Sequence, residues 1–223
     1  MKTFIFLTLF CLALAQTPPE ITESFLARFR FQYNSTSAKM TVDGEGTWVR
    51  SGDVNAEEME LDVKVNIEGD NVTHHVRSVN LTLYGARDSE EYYVIEVDGK
   101  KGQCLDALLA WPHELPHIWD WLKVAKNNGT RKIGIYELQV WIAADTGNYL
   151  AVYLEKDNTP YILEIIQGGN FTRFTFMDFR QEQPHDNHSF RVPDECRGEV
   201  IADGQTDKIP SIFSEWFQFV FWK

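Results

Sequence analysis

The chain has 223 residues, 43% of them hydrophobic, and a formal net charge of -12 from 21 basic against 33 acidic side chains. That supplies apolar material for one sizeable core. The acidic balance argues against nucleic acid and anionic membrane surfaces as partners, since both recruit clustered Lys and Arg.

In chain order, Lys2 precedes an apolar run over 4–15 that closes on Ala13-x-Ala15. This is the pattern of a cleaved export signal over 1–15, and the run is too short to span a bilayer. Six N-x-S/T sequons follow, at Asn34, Asn71, Asn80, Asn128, Asn170 and Asn187, where chance alone gives roughly one. The reading is a secreted glycoprotein, with the lysosomal lumen as the alternative destination. Cys11 leaves with the signal. The remaining pair, Cys104 and Cys196, is expected to form a disulfide in an oxidising compartment.

The body, 16–196, reads as strand after strand. Phe25, Ala27, Phe29, Phe31 and Tyr33 alternate with polar neighbours, and Met59, Leu61, Val63, Val65 and Ile67 do so more cleanly. That is the period of a half-buried strand. Gly44–Arg50 reads as a strand entered through a tight glycine turn. Val79, Leu81 and Leu83 alternate with Ser78, Asn80 and Thr82; a glycan on Asn80 would turn that polar face to solvent and the leucines inward. Further strands are expected over 91–97, 133–143, 149–156, 160–167 and 171–179. Turn signals such as Asp98-Gly99 and Gly168-Gly169 divide them, as in an antiparallel meander.

Between 105 and 126 the pattern changes. Leu105, Leu108 and Leu109, then Ile118, Trp119, Leu122 and Val124, recur at helical spacing, and Pro112 and Pro116 divide them. Two short helices are expected here, plugging the concave face of a strongly curved antiparallel sheet. The last segment, 197–223, reads as a linker followed by an aromatic tail. The tail either docks over the domain or, through 209–223, touches a membrane surface or partner.

One motif suggests chemistry. His113-Glu114-Leu115-Pro116-His117 fits H-E-x-x-H, which holds zinc between two His on one helical turn and uses the Glu as general base. Pro116 lies inside the helix that must carry both imidazoles, at a cost of about 3 kcal/mol. Glu137, the third ligand by spacing, sits on an alternating strand. The zinc-protease reading is therefore the third choice. His74 and His75 point to opposite faces of a strand, and His185 and His188 fall in a polar loop. No nucleophile elbow, phosphate loop or dinucleotide fingerprint appears.

The strand Glu91-Tyr92-Tyr93-Val94-Ile95-Glu96-Val97 leading to Cys104, the plug, and the closing Phe190-x-x-Pro193-x-x-Cys196 resemble the eukaryotic LolA-like proteins, including the ependymin-related group. The resemblance implies a mainly β half-barrel that holds an acyl-like ligand between sheet and helices. The expected function is non-enzymatic binding of a hydrophobic small molecule, a lipid or fatty acid, with no cofactor and no metal. The expected lining includes Phe29, Phe31, Leu61, Val63, Leu81, Leu83, Leu108, Leu109, Trp119, Leu122, Leu138 and Val140. The main alternative is a secreted interaction or matrix glycoprotein whose core is filled. Oligomeric state is left open.

Overall fold

A computed structural model describes residues 17–52, 54–67, 70–83, 89–100, 104–109, 117–181 and 192–196. Eleven strands run through them: β1 (Phe25–Ser35), β2 (Met40–Ser51), β3 (Val54–Ile67), β4 (Asp70–Leu83), β5 (Ser89–Val97), β6 (Cys104–Leu109), β7 (Lys126–Ile133), β8 (Tyr136–Asp145), β9 (Asn148–Leu154), β10 (Pro160–Gln167) and β11 (Asn170–Arg180). They form one antiparallel sheet in the order β6-β5-β4-β3-β2-β1-β11-β10-β9-β8-β7. Every neighbour pair but one is a sequential hairpin; the exception, β1 with β11, joins the two halves. A twisted sheet this wide curls rather than staying flat. Residues from β4 (Val76) and from β8 (Trp141) belong to one continuous core cluster on its inner face. The sheet ends at β6 and β7 and is not closed.

The inner face is written by alternation. Phe25, Ala27, Phe29, Phe31 and Tyr33 of β1 are all buried. Directly opposite Phe31 and Phe29 on β2 stand Gly44 and Gly46. A Cβ on Gly44 would lie 2.2 Å from the Glu60 carbonyl oxygen, and one on Gly46 would lie 2.8 Å from the Phe29 ring. Gly46 is therefore a mid-strand space for the Phe29 ring and Gly44 one for the β3 backbone and Leu61, not the entry turn that the sequence suggested. Phe174 packs edge-on against both Phe29 and Phe31, at centroid distances of 5.3 and 5.2 Å. Each such fully buried ring contributes roughly 1.5–3 kcal/mol. The expected Gly168-Gly169 hairpin is present, with φ of 55° and 85°, joining the Gln167–Asn170 pair.

The stretch 104–126 departs from expectation. Residues 104–109 are a strand, β6, paired with β5 from Val94↔Cys104 to Ser89↔Leu109. Six residues are too few for spacing to separate a helix from a strand, and pairing to an open edge decides the matter. Leu108 and Leu109 thus lie on a strand. The second expected helix is only a 3-10 turn, Asp120–Val124. The two plugging helices are therefore not formed; from this turn and its flanks Ile118, Trp119, Leu122 and Ala125 are buried in the inner cluster, and this short segment is the plug. The expected single strand 133–143 is the β7–β8 hairpin, turning at Gly134.

Cys104 and Cys196 form a disulfide across 92 residues. In the chain-entropy model such a closure is worth about 4–5 kcal/mol. Cys104 opposes Val94, so the bridge fastens Asp194–Cys196 to the outer face of β5–β6. There Glu195 approaches Arg77, which Glu58 also binds at 2.9 Å. A disulfide fits an oxidising, extracellular or periplasmic setting. Among the described residues no helix is long and apolar enough to cross a membrane.

Candidate functional site

The register defines which side chains share the inner face. Leu61 opposes Val76, which opposes Val97; Met59 opposes Ser78, which opposes Ile95. One step further, Glu57 opposes Asn80, which opposes Tyr93; beyond that, Asn55 opposes Thr82, which opposes Glu91. The apolar inner face of β3–β5 therefore ends in a polar floor.

The floor is buried and connected. Trp48 Nε1 donates to Asn55 Oδ1 at 2.8 Å, and Asn55 Nδ2 donates to Glu57 Oε1 at 3.3 Å. Thr82 Oγ1 donates to Asn80 Oδ1 at 3.3 Å, and Asn80 Nδ2 donates to Glu91 Oε1 at 3.1 Å. Burial pushes the Glu57 carboxyl up to about 8, against the lowering effects of Asn55 and Arg50, with Glu91 adding a further upward push. Glu91 is raised for the same reason, opposed by its bond from Asn80. Burial, the dominant cause, also carries Tyr93 up to about 12, with the two carboxylates adding to it. A carboxyl held near neutral pH in apolar surroundings is a group poised to change charge.

Beside the floor, Arg50 is 2% exposed and donates to Glu23 Oε2 at 3.3 Å. Glu23 also accepts from the Ile118 and Trp119 backbone N–H groups, both at 3.2 Å. One carboxylate thus ties the plug to β2. Sequence reading passed over Glu23, Arg50, Asn55, Glu57 and Glu91. The signal available was polar residues interrupting the inner period of β2 and β3, at Arg50, Asn55 and Glu57.

The expected lining divides between faces. Phe29, Phe31, Leu61, Trp119 and Leu122 belong to the inner cluster, and Val63 packs against it half-buried. Leu138 and Val140 lie on the opposite face, in a second cluster with Ala151, Tyr153 and Ile162. Leu81 and Leu83 also alternate outward, opposing Ala56 and Val54. Leu81 is 2% exposed, so the outer face carries apolar burial of its own. This reverses the inward assignment of that strand, and the reason is Asn80, whose amide serves the buried floor rather than solvent.

The other sequons fall differently. Asn34, Asn71 and Asn128 are exposed, Asn170 is half-buried, and Asn187 lies outside the described residues. His113, Glu114, His185 and His188 also lie outside them, as do 1–15 and 197–223. His117 is exposed, 3.8 Å from Glu23. His74 pairs with Asp98 at 2.8 Å and His75 with Asp62 at 2.5 Å, from adjacent residues on opposite faces as alternation requires. Among the described residues no three His, Cys, Asp or Glu are grouped to hold a metal ion.

No family model matches the chain, and no curated protein matches it. Among solved structures, it is similar to a beta-barrel-like protein of the domain of unknown function DUF1849 from Brucella abortus, at 7% identity and a TM-score of 0.42. That match covers 71% of this chain and 98% of the other. A DUF1329 family protein from Desulfovibrio piger is similar at 7% identity and a TM-score of 0.29, covering 76% and 90% of the two chains. Likenesses of this size carry nothing about function.

Proposed function

We propose that this chain is an exported, non-enzymatic carrier that binds a hydrophobic ligand along the inner face of its half-barrel. The observation that carries the reading is the uneven covering of that face. On the β8–β11 half, Trp141, Val152, Leu154 and Leu163 are buried in one cluster with Ile118, Trp119 and Leu122, and Ala143, Leu150 and Phe174 are half-buried against it. On the β3–β5 half Met59, Leu61 and Val76 are buried too. There, however, Val63, Val65, Val72 and Ile95 stay half-buried and Val97 is 38% exposed. These five side chains share one face by register. A ligand laid over them would remove apolar surface from water, at roughly 25 cal/mol per Å².

The export signal at 1–15, the disulfide and the sequons support secretion, with a lysosomal destination as the alternative. The half-barrel, the plug and the disulfide-linked Pro193-x-x-Cys196 element are what the LolA-like and ependymin-related resemblance would require. A second reading, a surface-acting glycoprotein with a filled core, draws support from the solid packing of the β8–β11 half and the exposed Asn34, Asn71 and Asn128. Native mass spectrometry of secreted protein after deglycosylation, followed by organic extraction, separates the two. A stoichiometric apolar mass is expected. A clean apo mass, with no uptake of a fluorescent long-chain lipid, would move the assignment to the second reading.

A further inference from the structure

The polar floor has more acceptors than donors. Among the described residues Glu57 receives one hydrogen bond, from Asn55, and Glu91 one, from Asn80. An ionised carboxylate accepts about four. Neither forms an ion pair among the described residues; Arg50, bonded to Glu23, acts on Glu57 only through space. Two further hydroxyls, Tyr93 Oη and Ser78 Oγ, are buried beside each other. Ser78 partly offsets the upward push of burial on Tyr93, but no well-formed hydrogen bond satisfies either oxygen. Tyr93 is 7% exposed and Ser78 1%. Native interiors leave few such groups unsatisfied, and a buried polar group without a partner is a reason to look for a ligand.

From these residues we infer that the floor is a head-group site for an organic ammonium, and that the preferred ligand is a single-chain amphiphilic amine. This deepens the carrier reading and rests on it. An ammonium has three donors and no acceptor, which complements two carboxylates and a phenolic oxygen. It would sit beside Asn80, between Glu57 and Glu91, with Tyr93 Oη accepting. The alkyl chain would follow the inner rows past Ile95 toward Val97 and Val63. Six residues of strand separate Glu57 from Val63, on the order of 20 Å. At pH 8, where Glu57 is about half ionised, a fatty carboxylate or a phosphate head would be repelled by that charge in a poorly solvated site. The formal charge of -12 draws cations toward the molecule as a whole.

The test uses the full secreted chain at pH 8 and measures displacement of a neutral apolar fluorophore by dodecylamine, dodecanol and dodecanoate. Dodecylamine is expected to bind at least about tenfold more tightly than dodecanol, the scale of a charge-assisted hydrogen bond. Dodecanoate should be the weakest. Combining Glu57→Gln with Glu91→Gln should erase the amine preference, bringing the dodecylamine-to-dodecanol affinity ratio to about one. Glu45→Gln with Glu60→Gln removes the same charge from the outer face and should leave the preference intact.

Equal binding of amine and alcohol by the unmodified chain would overturn the inference while the carrier reading stands. A preference that survives loss of both floor carboxylates would overturn it as well. Failure of the fluorophore and all three amphiphiles to bind would overturn the carrier reading itself.

Discussion

Glu57 and Glu164 are buried carboxylates on opposite faces of the same sheet, 6% and 8% exposed, yet they sit in opposite chemical settings. On the outer face, Arg173 binds Glu164 through both Nε and Nη2, and the Tyr153 hydroxyl donates to it at 2.9 Å. Arg131 extends the network, donating to Tyr153 at 3.3 Å. Burial and the donation to Glu164 hold Tyr153 up to about 12. On the inner face, Glu57 has one amide donor and no ion pair among the described residues. A buried charge met by its counter-ion and hydrogen bonds is a finished structural element. One met by a single amide retains a cost that a ligand or a proton can relieve.

The comparison is sharpened first by the anchors that hold each face. Cys104→Ser releases Asp194–Cys196 from the outer face. It should lower stability by about 4 kcal/mol in denaturant melts, with the inner-face ligand preference retained. Glu23→Ala removes the acceptor of two plug N–H groups and of Arg50. A loss of about 3 kcal/mol is expected, with faster hydrogen exchange at Ile118 and Trp119.

The carboxylates themselves should respond with opposite signs. Arg173→Ala strips Glu164 of its counter-ion and should cost about 2 kcal/mol, a buried-pair value reduced because Arg173 is 38% exposed. Glu57→Gln should stabilise at high pH. Burial pushes the folded carboxyl up to about 8, against 4.5 for a solvated glutamate as in the unfolded chain, so between those values the folded state holds a proton that the unfolded state has released. Stability from this site is therefore present below about 4.5 and falls as pH rises toward 8. Arg50 on β2 and Glu91 and Tyr93 on β5 face the same group and are retained in the variant. Glutamine should gain about 2 kcal/mol at pH 8 and nearly nothing at pH 5, read from melting curves at the two pH values. A gain of equal size at both would mean that Glu57 is not held protonated by burial.

Much of the fold was legible. The alternation in β1 and β3, the turn at Gly168-Gly169 and the cysteine pairing all follow from local rules, because period and turn chemistry are properties of adjacent residues. The site was less so. Asn80 shows why: as a sequon it suggests an exposed amide, and the leucines beside it suggest an inward face. Both inferences fail once both faces of the sheet bury apolar side chains, since alternation then cannot say which face is inner. Leu138 and Val140 were misplaced by the same ambiguity. Leu105–Leu109 was read as helix because five residues carry too few periods to distinguish one element from another.

The amino-acid sequence by itself determined an acidic, strand-built chain with one cysteine pair to bridge and six sequons, since each of these is encoded by near neighbours or by residue identity. The tertiary structure alone decided that Glu57, Asn80 and Tyr93 share a row, that Glu23 ties the plug to Arg50, and that Gly46 makes room for the Phe29 ring. Those relations depend on register between strands, and one residue of slip would send every side chain to the other face.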